Sequence, residues 1–154
     1  MSNRDLFLRM LDEAYQRKAW HGPNLRGSLR GVMAGEAAWR PAKGRHNIAE
    51  LAIHCAYWKY TVRRRLTGEK RGAFPRTGSN WLPSTNWKDD LRLLAGEHRG
   101  LMDAVRTASA AKLRTYERLI YGVAAHDVYH TGQIQLIKRL WPDRRLPAGR
   151  SRGL

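Results

Sequence analysis

A single cysteine, Cys55, in 154 residues excludes an intrachain disulfide. Long apolar runs are missing too: none approaches the roughly 20 residues that a membrane-spanning helix needs. The opening stretch, MSNRDLFLRMLDE, is broken by acidic residues and lacks the apolar centre of a signal peptide. Acidic residues are scarce, 13 against 29 Lys and Arg, which leaves a formal net charge of +16. That balance is compatible with nucleic acid or an anionic surface, yet the basic residues are scattered. They cluster only after Pro142 and at Arg63-Arg64-Arg65, where they close an expected helix and complement its negative dipole end. No base-reading motif accompanies them, so a nucleic-acid-binding module ranks last among the functional readings. Internal repeats and alternating strand patterns are absent as well. The expectation is a soluble, cytoplasmic, all-α domain long enough to bury a core.

What is present is helical periodicity in four principal blocks. The first runs from Asn3 to about Lys18, with Leu6, Phe7, Met10, Leu11 and Ala14 on its apolar face. Gly22-Pro23 stops it, and a short helical piece follows from Asn24 with Leu25, Leu29 and Val32 on one side. Residues 35–45, which hold Pro41 and Gly44, read as a connector. The second principal helix opens with Asn47 and Glu50, a capping box in which Asn replaces Ser or Thr. Ile48, Leu51, Cys55, Trp58, Val62 and Leu66 then recur at helical spacing until Gly68.

Residues 67–85 read as a long linker without structure of its own. At about 3.3 Å per residue it can carry the chain back to the starting end of a bundle, so the next helix can run parallel to the second. The third helix spans Asn86 to about Arg106, with Leu91, Leu94, His98, Leu101 and Val105 as its stripe. The fourth runs from about Thr115 to Pro142, which cannot continue a helix. Leu119, Val123, His126, His130, Ile134 and Ile137 share its inner face. The expected architecture is a four-helix bundle over residues 1–141, followed by a basic flexible tail at 142–154.

Three histidines fall on the inner faces of these helices. His126 and His130 are four apart, hence on one side of one helix, and His54 lies between Leu51 and Trp58 on another. Three imidazoles around one ion leave a coordination position open, as in working zinc-type sites. The competing reading is three separate core histidines, each hydrogen-bonded on its own. His98 also points inward and reads as a core residue; His21 and His46 stand at helix boundaries and read as local. Cys55 reads as a small buried residue, and Trp58 as packing. Trp81, in the linker, is either a lid over the bundle mouth or a loop anchor. Gln133 stands where it can orient a ligand or bound water, and Gly122 and Gly132 mark close approach of another helix, within the bundle or between subunits. The string His126-Asp127-Val128-Tyr129-His130 has the outline of a zinc-peptidase motif. Asp127 is one methylene short of the general base, and no third carboxylate follows, so a peptidase is set aside.

The strings Ala19-Trp20-His21-Gly22-Pro23-Asn24-Leu25, Asn47-Ile48-Ala49-Glu50-Leu51 leading to His54, and His126-Asp127-Val128-Tyr129-His130-Thr131-Gly132-Gln133-Ile134 resemble the DinB-like (YfiT-type) superfamily. The resemblance covers about residues 10–141. It implies a four-helix bundle of up-down-down-up connectivity with a long crossover between the second and third helices. It further implies a divalent metal ion, zinc or nickel, on His54, His126 and His130, and a homodimer. Related branches are thiol-dependent transferases and isomerases, so the resemblance implies a thiol S-transferase acting on a low-molecular-weight thiol and an electrophilic small molecule; an open ion that activates water instead of thiol makes a hydrolase the other enzymatic reading. The alternative is a non-catalytic metal-binding stress protein.

Overall fold

The computed structural model describes residues 1–78 and 80–142. Of the stretch read as a tail, only Pro142 lies among them. Helix α1 (Asn3–Tyr15) starts with a capping box in which the Ser2 hydroxyl accepts from the Asp5 amide and the Asp5 carboxylate accepts from the Ser2 amide. It ends three residues before the expected Lys18, because the amides of Gln16 and Arg17 both turn back onto the Asp12 carbonyl. Helix α2 (Leu25–Leu29) is capped by Asn24 as its sequence predicts. The expected connector holds a further short helix, α3 (Ala34–Ala38), whose Ala37 is wholly buried. Five residues give no periodicity long enough to read.

Helix α4 (Ile48–Thr67) has the capping box of Asn47 and Glu50 and ends at Gly68, whose φ of 82° is left-handed and suits glycine. Helix α5 (Trp87–Thr107) is capped by Asn86, and α6 (Ala110–Leu140) by Ser109. The start of α6 is five residues earlier than Thr115, with the Ser109 hydroxyl accepting from the Lys112 amide. Leu119, assigned to the inner stripe, is exposed, and Ile120 is buried in its place. That shift of one residue follows from which neighbours α6 packs between. Among the described residues there is no strand, only one isolated bridge from Ala19 to Gly22. No helix among the described residues is long and apolar enough to cross a membrane.

Two apolar clusters reveal the helix directions. In one, residues of the first half of α4 meet Trp87 and Leu94 of α5 and Ile134 and Ile137 of α6. In the other, Val62 and Leu66 of α4 meet Leu101 and Val105 of α5, Leu113 and Ile120 of α6, and Phe7 and Leu11 of α1. So α4 and α5 run the same way, and α6 runs against both. At one end of α1, Arg4 donates to the Ala108 carbonyl just beyond α5, and at the other Tyr15 stacks on His98, so α1 also opposes α5. The parallel pair requires the long connection between α4 and α5. It is pinned by buried Phe74 and Leu82, and by Asp90, which accepts from Arg76 and Ser84.

Between the clusters, Lys59 of α4 donates to Asp127 of α6, and neither side chain has any solvent exposure. The ammonium also lies 5.2 Å from the centre of the Tyr15 ring. Burial pushes the Asp127 carboxyl up while the Lys59 charge pulls it back. Removing one member of such a pair strands a charge and costs about 3–5 kcal/mol, whereas replacing both with apolar groups is often neutral or stabilising. Lys59→Met is therefore expected to lose about 3–5 kcal/mol in urea unfolding, and Lys59→Met with Asp127→Leu to recover most of it. A double variant as unstable as the single one contradicts this account.

Candidate metal centre

Helix α4 supplies His54, and one turn of α6 supplies His126 and His130. The structure brings the three together: the Nε2 of His126 stands 3.1 Å from that of His54 and 3.0 Å from that of His130. Metal–nitrogen bonds of 2.0–2.1 Å at tetrahedral angles need donor nitrogens about 3.3 Å apart. The observed spacing is within a few tenths of an ångström of that.

The far nitrogens fix where the protons sit. His54 Nδ1 donates to the Asn80 backbone carbonyl at 2.9 Å, since a carbonyl can only accept. His130 Nδ1 faces Gln133 Oε1 at 2.6 Å, and Gln133 uses its own Nε2 to donate to the Tyr129 hydroxyl at 3.2 Å. With both protons on Nδ1, the Nε2 atoms of His54 and His130 are bare lone pairs aimed at His126. His126 has one proton at most in its neutral form and cannot satisfy both neighbours. Its Nδ1 is buried without a hydrogen-bond partner among the described residues. Protonating the cluster is disfavoured: burial pulls His126 down to about 3 and His130 to about 4, and it lowers His54 as well. Converging lone pairs on neutral imidazoles are the donor set a divalent cation requires.

The site is walled by an aromatic stack. Trp81 lies between His54, at 3.8 Å and 2° between planes, and His46, at 3.6 Å and 6°. Trp81 is thus more than a loop anchor, and His46 is more than a local boundary residue. His46 also pairs with Glu50, which Arg40 holds from the other side. No spacing rule marks His46, because it precedes its helix and meets Trp81 only through the fold. Trp58 packs edge-on against His54 and His126 from the core side. A cavity of about 640 Å³ opens beside His130, and its lining includes His46, Trp81, Tyr129 and Gln133.

A model of the DinB superfamily matches residues 17–134, a span that contains all three histidines. The chain belongs to the DinB superfamily. No curated protein and no solved structure matches it.

One other grouping within this DinB-superfamily chain is a poorer site. Cys55, His126 and Asp127 offer ligand atoms within 4.8 Å of one another. Asp127 is already paired with Lys59, however, and burial raises the Cys55 thiol well above its ordinary value, so a thiolate there is disfavoured. His98 does not join the cluster; it stacks on Tyr15 at 3.9 Å in the core. Lys59 was not foreseen at all, since a lysine beside Trp58 and Tyr60 carries no signal of burial.

His98 makes stability depend on acid. Burial lowers it from 6.5 to about 3, so between these values the unfolded chain binds a proton that the folded chain does not. Stability is then lost as pH falls through that window and regained as it rises. For one imidazole the loss from pH 7 to pH 5 is about 2 kcal/mol. His98→Phe, which keeps a ring against Tyr15, is expected to lose about 2 kcal/mol less over that interval in urea titrations at the two pH values. Equal losses in the two proteins count against it.

Proposed function

We propose that this DinB-superfamily protein binds one divalent ion, zinc or nickel, on His54, His126 and His130, and that it acts as a metal-dependent thiol S-transferase. The observation that carries the reading is the convergence of three neutral Nε2 donors, one of which, on His130, belongs to a residue lining an open cavity. When bound, such an ion lowers the pKa of a thiol or water at its open position and supplies a nucleophile near neutral pH. The Asn80 carbonyl and Gln133 hold the outer nitrogens of His54 and His130 so that the inner ones stay unprotonated. Trp81 shields one side of the cluster from water.

Among the described residues no Asp or Glu lines the cavity, so none of them is at hand to act as general base. That favours thiol transfer over hydrolysis. The thiol sulfur forms the new bond to carbon, the leaving group departs with its bonding pair, and the thiol proton passes to solvent. The reading includes a homodimer: Leu119, Tyr121 and Leu140 are exposed on α6, and among the described residues no neighbouring element stands within 4 Å of a Cβ placed on Gly122 or Gly132.

Protein purified without a His-tag is expected to hold one zinc or nickel ion per chain by elemental analysis. His130→Ala is expected to lose it while keeping its helical circular dichroism, and Gln133→Leu to bind metal roughly 10- to 100-fold more weakly. Stoichiometric metal in His130→Ala rules out the three-histidine site. Stoichiometric metal in the wild type, with no reaction in a screen of thiols and electrophiles, points instead to a non-catalytic metal-binding protein.

A further inference from the structure

The cavity beside the histidines has the volume of a small-molecule pocket, about 640 Å³. Its wall chemistry is uneven. Tyr129 and Leu136 are large and exposed, and Trp81 adds an edge, because both its faces are occupied by His46 and His54. Polar groups are few: Gln133 and His130 are already bonded to each other. The charge is of one sign. Arg45 lines the cavity, no carboxylate among the described residues does, and the nearby Glu50 is held by Arg40 and His46. A guanidinium with no carboxylate partner among the described residues, at one point of an apolar pocket, favours an anion carried on an apolar body, since a guanidinium and a carboxylate form the strong, paired type of hydrogen bond.

We infer that this cavity takes an organic acid with an apolar body about the size of a phenylalkyl chain. Its carboxylate lies on Arg45, and its body lies against Tyr129, Leu136 and the edge of Trp81. Such an acid, where it also carries a displaceable group such as a halide on carbon, is the electrophilic partner of the thiol: the sulfur bonds to that carbon, the halide leaves with the bonding pair, and the thiol proton passes to solvent. That role rests on the metal-dependent reading above; the binding does not, because Arg45 and the apolar wall act whether or not a metal is present.

The competing explanation is that Arg45 is one of many surface arginines in a chain of net charge +16. Calorimetric titration with 4-phenylbutyrate and with 4-phenylbutanol, at 0.15 M salt and in both metal-loaded and chelator-treated protein, separates the two. The acid is expected to bind about tenfold more tightly than the alcohol in both preparations. Arg45→Gln is expected to abolish that preference, and Tyr129→Ala to weaken acid and alcohol alike. Arg30→Gln, on a different cavity, is expected to change neither. Equal binding of acid and alcohol, a preference that survives Arg45→Gln, or an equal loss in Arg30→Gln overturns the proposal. So does a preference that vanishes on chelation, which puts the carboxylate on the metal. If acid binding is intact but no metal is found in the purified protein, the metal-dependent reading fails and the cavity assignment stands.

Discussion

Lys59 and Asp127 meet inside the bundle with no solvent around either, and the relative register of α4 and α6 depends on that contact. A charge pair buried this deeply tolerates little sliding, because a displacement of one helical turn leaves two unpaired ions in an apolar interior. Lys59 stands five residues beyond His54 on α4, and Asp127 lies between His126 and His130 on α6. The register that closes the ion pair is therefore the one that sets His54 opposite the other two imidazoles. Tyr15 covers the ammonium from α1 and stacks on His98 of α5, so all four principal helices meet around one polar contact.

From that register the site follows in layers. The inner nitrogens converge, and burial keeps them neutral. Outer nitrogens are held by a carbonyl of the crossover and by a side chain one turn along α6. The crossover thus does two things with one stretch of chain. It lets α5 run parallel to α4, and it lays Asn80 and Trp81 across His54. A shorter turn would remove the topology and the wall together.

Much of the helical framework was legible in the sequence, since helix starts and periodicity depend on neighbours in the chain. Asn47 with Glu50 and the closing Gly68 mark α4 without reference to anything distant. The start of α6 at Ala110 was less legible, because Ser109 sits only two residues past α5 and leaves almost no connection between the two helices. Leu119 illustrates a further limit. Its spacing suits the inner stripe, yet Ile120 is the residue that packs, and only the arrangement of neighbouring helices chooses between adjacent positions.

The sequence by itself determined an all-α chain, most helix ends, the long crossover, and a histidine pair on one face of one helix. Each depends on interactions a few residues long. The tertiary structure alone decided that Lys59 is buried and that His46 and Trp81 stack over His54. These outcomes join residues far apart in the chain, and long-range packing and desolvation, which no local pattern encodes, select them. The three histidines belong to both accounts. Spacing put two of them on one face, and the buried ion pair set the third against them.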